Sequence, residues 1–310
     1  MSKLFLGYLS AFITVISWTI GSIWFTRASR LINPSSVNRV RLLYAFLLLG
    51  VLVCVIMQLT PLQLFTSVTQ NQYFWFSLSG LVGLSIGDYY TFNAFKILGP
   101  RRTTLFNCFA PGAALLAGYI IVNENIGFVA LLGMLISISG ILLITLSRTE
   151  KNQVLQEGYG SYANGVFAGV MSALCQGVGL VLAKKGFSVE PNSQISAIHA
   201  TWIRMFSAVI FSYGIGFFKT NLFEEFKMIT FNKKFIKPVI IGTTFGPVIG
   251  VSLSLVAARN IPVSIAQTIL SMVPVSVTIT GILFYKEKIS TAGFLALLLS
   301  IIGVLLLTLF

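Results

Sequence analysis

Charged residues are scarce in this sequence. Only 9% of its 310 residues are Asp, Glu, Lys or Arg, whereas a soluble domain has about 25%. Hydrophobic residues make up 56% of the chain, and its mean hydropathy is +0.90. So few charges cannot cover a water-facing surface, which excludes an ordinary soluble protein and indicates an all-α integral membrane protein.

Cysteine and histidine are also rare, with three Cys and one His. Cys54, Cys108 and Cys175 each lie inside an apolar run, without CxxC spacing and without neighbouring histidine. This pattern argues against a disulfide framework and against a metal site. The sequence also shows no nucleophile–base pair, no paired catalytic carboxylates and no phosphate-binding loop. We therefore expect no cofactor, no metal and no enzymatic activity.

Acidic residues are few: 8 Asp and Glu against 21 Lys and Arg give a net charge of +13. The basic residues stand between apolar runs and do not form a patch with interleaved aromatics, so they do not indicate a nucleic-acid partner. They indicate loops that meet the anionic headgroups of a lipid bilayer. The predicted loops on one side hold about 16 Lys and Arg, and the N-terminus and the other loops hold about 4. The charge count therefore predicts that the first set is cytoplasmic and both termini lie outside.

What the chain does have is an internal repeat. Pro111 and Pro274 are 163 residues apart, and the same offset relates further identical residues of types that rarely match by chance. These pairs are Arg41 with Arg204, Gly83 with Gly246, Gly87 with Gly250, Gly118 with Gly281, Glu124 with Glu287 and Gly140 with Gly303. Nearer the N-terminus the offset is 158 and pairs Gly21 with Gly179. The sequence thus predicts two related halves, residues 1–150 and 155–310.

Ten apolar stretches are long enough to span a bilayer, which needs about 20 residues per helix. They run about Leu4–Phe25, Val40–Gln58, Tyr73–Phe95, Thr103–Val122, Ile126–Leu146, Tyr162–Ala183, Ile195–Phe218, Pro238–Ala258, Val263–Tyr285 and Ser290–Phe310. Each half has five, and because five is odd the second half enters the membrane from the opposite side. We therefore expect ten transmembrane helices as two inverted five-helix repeats, an architecture typical of transporters. The stretch 148–160 is interpreted as a polar linker between the halves.

The repeated motifs resemble a known family. An Arg opens the second helix of each half (Arg41, Arg204), an Ala-x-Lys/Arg-x-Ile/Leu motif precedes a Pro (94–100, 257–262), and a Glu follows Pro111 and Pro274 by thirteen residues. This set resembles the EamA-type transporters of the drug/metabolite transporter superfamily over essentially the whole chain. The resemblance implies metabolite transport, often export of amino acids or related compounds. It also implies cytoplasmic termini, opposite to the charge count, so the orientation stays open.

Asp88 is the strongest candidate for a functional residue. It is an acid inside the third predicted span, where a carboxylate costs about 2.5–3.5 kcal/mol on insertion scales, and its repeat partner is the apolar Val251. It is either a satisfied interior ion pair or a cavity residue that binds a substrate amine or carries a coupling proton. The symmetry mates Arg41 and Arg204 either reach toward headgroups and latch helices or bind a substrate carboxylate.

Further polar and aromatic residues in the spans are candidates for the same cavity. For each, interhelical hydrogen bonding or packing is the simpler interpretation, and His199 is either a hydrogen-bonded interior residue or a proton relay. The candidates are Trp18, Tyr89, Tyr90, Asn93, Asn107, Gln176, His199 and Gln267. The cavity is expected among spans 1, 3, 4, 6, 8 and 9, with spans 5 and 10 peripheral.

The sequence therefore predicts a secondary transporter of a small polar metabolite in the cell (inner or plasma) membrane. The partners would be a small-molecule substrate, the lipid bilayer and protons as a candidate coupling ion, and the oligomeric state is left open. A channel or a lipid flippase is the alternative, and an intramembrane enzyme is a more remote one.

Overall fold

The structure, a computed structural model, describes residues 3–122, 127–190, 195–218, 221–260, 269–270, 272–286 and 289–309. Glu124, Gln267 and Glu287 lie outside the described residues. Within these ranges the secondary structure is helical, and two segments, π1 (Gly80–Gly87) and π2 (Thr244–Val251), are π-helical. The α-helices are α1 (Lys3–Leu31), α2 (Pro34–Met57), α3 (Gln63–Thr66), α4 (Gln70–Ser79), α5 (Asp88–Asn107), α6 (Ala110–Val122), α7 (Phe128–Leu146), α8 (Arg148–Glu157), α9 (Tyr162–Ser188), α10 (Ala197–Phe217), α11 (Leu222–Thr230), α12 (Lys233–Thr243), α13 (Ser252–Asn260), α14 (Val273–Tyr285) and α15 (Thr291–Leu309).

Long apolar helices dominate because a chain in hydrocarbon must satisfy its backbone hydrogen bonds within each segment. By length and composition, six helices among the described residues can cross a membrane. A bent pair, Gln70–Asn107 with Ala110–Ile121 at 49°, makes a seventh if it counts as one span, and Val273–Phe284 and Thr291–Leu306 are shorter apolar helices. The protein is thus a multi-pass helical membrane protein. The count of ten spans stays a prediction.

Gly99 and Pro100 divide α5 into two helical pieces. Gly99 has φ 78° and ψ 173°, a backbone conformation that residues with a Cβ avoid. Pro100 lacks the amide hydrogen that would continue the first piece. The sequence predicted a longer break here, from 96 to 102. The chain instead turns within two residues, which places Arg101 and Arg102 in the first turn of the next piece.

The two π-helical segments are related by the 163-residue offset to within one position, and each contains a glycine that lies close to a glycine of another helix. A Cβ on Gly179 of α9 would lie 2.9 Å from the Gly83 Cα, and a Cβ on Gly21 of α1 would lie 3.1 Å from the Gly246 Cα. A Cβ at Gly179 would force the two backbones apart, and one at Gly21 would push them by a few tenths of an ångström, so at both places the backbones pack closely on each other. Correspondingly, α9 packs on α4, π1 and α5, while α1 packs on α12, π2 and α13.

The helices α7 and α15 pack more extensively on each other than any other pair of described elements. A Cβ on Gly140 would lie 2.6 Å from the Ser300 Oγ, and one on Gly303 would lie 2.6 Å from the Gly133 carbonyl oxygen. Ser137 and Ser300 are fully buried in this contact. These two helices, predicted as spans 5 and 10, therefore form a close-packed pair of their own.

The connections gather at two ends of the bundle. At the end that we call the basic end, Arg30 pairs with Glu157, Arg102 with Glu150, and Arg39 with Glu225. These contacts join the connections after α1, within α5, after α7 and before α12.

At the opposite end, which we call the capped end, α3 lies on α10. The Phe65 ring packs edge-on against Trp202 at 4.9 Å, and the Tyr73 hydroxyl donates to the Phe65 carbonyl at 3.0 Å. The His199 Nε2 also lies 2.8 Å from the Leu64 carbonyl oxygen, so α3 ties the connection before α4 to the first turns of α10.

Candidate functional site

Asp88 forms an ion pair with Arg41 in the interior of the bundle. Asp88 is the first residue of α5 after π1, and Arg41 lies in the second turn of α2. The Arg41 guanidinium donates to an Asp88 carboxylate oxygen. The two side chains are 3% and 14% exposed. Both charges are therefore largely removed from solvent, and pairing offsets part of the cost of burying them.

The π1 segment supplies backbone acceptors for Arg41 and for its neighbour Asn38. A π-helical turn shifts the backbone hydrogen bonds and leaves carbonyl oxygens available for other donors. The Leu84 carbonyl accepts from Arg41 at 3.1 Å, and the Ser85 carbonyl accepts from the Asn38 amide at 3.0 Å. The Asn38 side-chain oxygen in turn accepts from Arg41 at 2.9 and 3.0 Å. Sequence reasoning missed Asn38, although it lies on the same helix face as Arg41.

The second half contributes two further members of the cluster. Gln176 of α9 donates to the other Asp88 oxygen at 2.7 Å. Arg204 of α10 interacts electrostatically with Asp88, and a Cβ on Gly83 would lie 3.5 Å from its Nη2. Among the described residues, the buried Nε of Arg204 has no hydrogen-bond partner. Asp88, Arg41, Gln176 and Arg204, here called the Asp88 cluster, thus join four helices from both halves.

The remaining predicted site residues lie elsewhere. Asn93 donates to the Tyr89 carbonyl at 2.7 Å, and Tyr90 packs between Tyr89 and Phe167 at 5.2 and 5.8 Å. These three contacts do not involve the Asp88 cluster. The Oδ1 of Asn107 is buried without a hydrogen-bond partner in the described part of the chain.

Trp18 and His199 belong to other packing regions. Trp18 is the repeat partner of Gln176 and packs beside Gly250 of π2 and against Val273, so an aromatic ring stands where the other half has an amide. The His199 side chain is 2% exposed, and its Nε2 lies 2.8 Å from the Leu64 carbonyl oxygen. It holds α3 on α10 at the capped end, apart from the Asp88 cluster.

A cavity of about 400 Å³ lies toward the basic end. It is lined by the last turns of α1, by Pro100, by Tyr159 and by Val277 and Gly281 of α14. These elements correspond to predicted spans 1 and 9, to the connection between predicted spans 3 and 4, and to the stretch between the halves. Asp88 does not line this cavity, and its place in a central cavity between the halves stays a prediction.

Two arginines and two aromatic rings line the same cavity. The Arg30 guanidinium lies 4.2 Å from the centre of the Tyr159 ring, and that of Arg27 lies 5.5 Å from the Trp24 ring. Arg30 also donates to the Lys96 carbonyl at 3.2 Å. A cation is attracted to the face of an aromatic ring. The cavity is therefore lined by two cation–π pairs, Arg30 with Tyr159 and Arg27 with Trp24.

The stretch between the halves, interpreted from sequence as a polar linker, is helical and carries a buried acid. Glu150 of α8 is fully buried and accepts from Arg101 at 2.8 Å, from Arg102 at 2.6 Å and from Ser290 at 2.5 Å. Burial raises the pKa of this carboxyl, but the two guanidiniums and the Ser290 hydroxyl together hold the pKa below its ordinary value. A helix-capping signal was present in the sequence, because Ser147 precedes Glu150 by three residues and its hydroxyl caps α8.

A family model described as "EamA-like transporter family" matches residues 5–146 and 163–309. The chain belongs to this family. The EamA-like transporters are part of the drug/metabolite transporter superfamily and are membrane transporters of small molecules, not enzymes. The resemblance and the expected absence of enzymatic activity are therefore confirmed by the family match.

A solved structure described as "Crystal structure of protein" has the same fold as this EamA-like chain. The two sequences are 14% identical, and the TM-score is 0.62. The structural match covers 98% of this chain and 96% of the solved chain. A likeness at that identity shows the fold alone. No curated protein matches the chain.

Proposed function

We propose that this chain is a secondary transporter that moves a small polar metabolite, amino-acid-like or related, out of the cell by alternating access. Its ten spans would form two inverted repeats, residues 1–150 and 155–310, in the cell membrane. The substrate would pass between the halves, through the space around the Asp88 cluster. Protons are the candidate coupling ion, with Asp88 as the group that would carry them.

The pairing of contacts supports the repeat part of the proposal. Each interaction of α9 with α4, π1 and α5 has a counterpart in which α1 packs on α12, π2 and α13. Two further contacts join equivalent helices of the two halves, α2 with α10 and α7 with α15. A two-fold axis between the halves would pass through contacts of this kind. Such exchange of partners is expected of two repeats related by an axis in the membrane plane.

The observation that carries the proposal is the Asp88 cluster. Arg41 and Arg204 each follow the start of their helix by seven residues, or about 10 Å along the axis. Because those helices would begin at opposite ends of the bundle, their guanidiniums meet near the middle. An ionisable group at that depth is expensive and typically marks a substrate or ion pathway. Here it is also the place where polar side chains of both halves touch.

The two ends of the bundle support alternating access. No member of the Asp88 cluster lines the cavity at the basic end, and at the capped end α3 packs on α10 through Phe65 and Trp202. A carrier needs a site that is closed to at least one side at every stage. The cavity supports a state in which the basic end is partly open.

A transport assay with purified protein in liposomes tests the proposal. Vesicles loaded with unlabelled amino acids should accumulate a labelled amino-acid mixture by counterflow, with saturation, and Asp88→Asn should change this uptake. Glu225→Gln is the matched control, because it makes the same acid-to-amide change in an ion pair at the basic end, where Glu225 of α11 contacts Arg39 at 2.5 Å. Conduction without counterflow would indicate a channel, and lipid movement alone would indicate a flippase. Either result would contradict the proposal.

A further inference from the structure

The Asp88 cluster contains two cations and one anion. Arg41 is buried and Arg204 is half-buried, and Asp88 is the one acid inside the predicted spans. The cluster therefore carries one uncompensated positive charge. Moving such a charge into a membrane interior costs several kcal/mol in the absence of a counter-charge. Something that is not part of the described chain would lower that cost.

The uncompensated charge is on Arg204. Both carboxylate oxygens of Asp88 are occupied, one by Arg41 and the other by Gln176 at 2.7 Å. Arg41 has further acceptors in Asn38 and in the Leu84 carbonyl. Arg204 interacts with Asp88 electrostatically, and its buried Nε has no hydrogen-bond partner among the described residues.

The repeat shows that this imbalance is not a requirement of the fold. Arg41 and Arg204 are symmetry mates, yet Asp88 corresponds to Val251 and Gln176 corresponds to Trp18. The second half therefore keeps the arginine and lacks the acid that would pair with it, because Val251 stands at the position of Asp88. A structural latch built by the repeat would carry an acid in both halves or in neither.

We propose that the cluster binds a small monocarboxylate, whose charge compensates Arg204 and which competes with Asp88 for the two guanidiniums. This inference rests on the proposed transport function and names its substrate class. A carboxylate matches the planar fork of a guanidinium better than other small anions do. The cluster would have one positive charge when empty and none when loaded, so the loaded site is the cheaper one to enclose between the halves.

The sign of the Asp88→Asn effect separates this proposal from an amine-binding role. If Asp88 binds a substrate amine, its removal weakens binding. If Asp88 competes with a substrate carboxylate, its removal leaves two unpaired guanidiniums, and carboxylates bind more tightly. The two interpretations therefore predict opposite changes for the same variant.

Thermal stabilisation of the purified protein provides the measurement, because a solute that binds only the folded state raises its stability. The probes are sodium acetate, sodium benzoate, methylammonium chloride and L-leucine, at constant pH and ionic strength with sodium chloride as the reference salt. At least one of the two carboxylates should stabilise the wild type. Arg204→Gln should weaken that binding by about tenfold or more, equivalent to about 1.4 kcal/mol, and Asp88→Asn should strengthen it.

Two further variants keep the outcome decisive. Arg204→Lys keeps the positive charge and loses the planar pair of N–H donors, so it should bind the carboxylate more weakly than wild type does. This variant provides the test in the case that Arg204→Gln does not fold. Arg39→Gln is the control, because Arg39 pairs with Glu225 and does not belong to the Asp88 cluster. This variant should bind the carboxylate as tightly as the wild type does. Stabilisation by none of the probes, stabilisation by methylammonium alone, or loss of carboxylate binding in Asp88→Asn would each overturn the proposal. Saturable counterflow of L-leucine without carboxylate binding would do so while leaving the transport function intact.

Discussion

Gln176 donates a 2.7 Å hydrogen bond to Asp88 across the boundary between the two halves of the chain. The bond links α9 to the junction of π1 and α5, where the repeat partners Trp18 and Val251 offer no such contact. The halves are thus alike in backbone packing and unlike in chemistry. In a protein built from two repeats, we expect a functional site where equivalent positions have the same backbone packing and different side chains.

Removing one partner of the Asp88–Arg41 ion pair should be worse for folding than removing both. Arg41→Gln leaves the Asp88 carboxylate buried with less compensation, which typically costs about 3–5 kcal/mol. The double variant Arg41→Gln/Asp88→Asn removes both charges and should recover much of that loss. The thermal midpoint in detergent and the yield of monodisperse protein measure the effect. Additive losses in the double variant would show that the two side chains are not energetically coupled.

A side chain at the close contact between Gly179 of α9 and Gly83 of π1 should destabilise the protein. Gly179→Ala would place a methyl group 2.9 Å from the Gly83 Cα, so α9 and π1 must separate. We expect a loss of about 1–3 kcal/mol, the usual cost of overpacking, seen as a lower thermal midpoint.

The matched control for the crossing is Gly214→Ala in α10, where a Cβ would meet nothing within 4 Å. That change should be neutral, or stabilising by up to about 1 kcal/mol, because Ala favours the helix. Equal effects of the two substitutions would contradict a direct backbone crossing at Gly179.

The sequence predicted a helical membrane protein correctly because that depends on local composition, and the match of two family domains agrees with the repeat that matched spacing predicts. Apolar runs of about 20 residues predicted where the long helices lie, whereas the count of ten spans and the bounds of the halves stay predictions. The side-chain partners depended on three-dimensional packing and were harder to predict. Identical arginines at equivalent positions gave no sign that Arg41 would bind Asp88 while Arg204 would not.

The role of Glu150 was missed for a similar reason. A polar stretch between spans is usually a solvated connection, and composition alone does not show that its acid is buried. Its partners Arg101, Arg102 and Ser290 come from two distant connections. Only the packing of α8 against the start of α15 and the break in α5 brings them together.

The Glu150 ion pairs should make stability depend on acidic pH. The folded pKa of Glu150 lies below the ordinary value of 4.5, so its contribution is fully present above pH 4.5 and is lost as the pH falls through the lowered pKa. Glu150→Gln should have a lower thermal midpoint than wild type at neutral pH, and the difference should shrink as the pH falls below 4.5.

Glu157→Gln is the control for this measurement, since Glu157 is 35% exposed and its ion pairs are more open to solvent. Exposed pairs contribute little, so its profile should stay close to that of wild type. Parallel pH profiles for wild type and Glu150→Gln would mean that the buried ion pairs do not contribute to stability.

The basic end and the capped end should be accessible from opposite sides of the membrane. Ser67, after α3, and Gln156, near the end of α8, are both exposed and lie at different ends of the bundle. In a variant without Cys54, Cys108 and Cys175, a cysteine at either position can be labelled with a membrane-impermeant maleimide in intact cells. The charge count predicts that Ser67→Cys reacts directly and that Gln156→Cys reacts only after permeabilisation. The reverse pattern would place the termini in the cytoplasm, as the family resemblance implies, and labelling of both from one side would contradict the inverted arrangement of the halves.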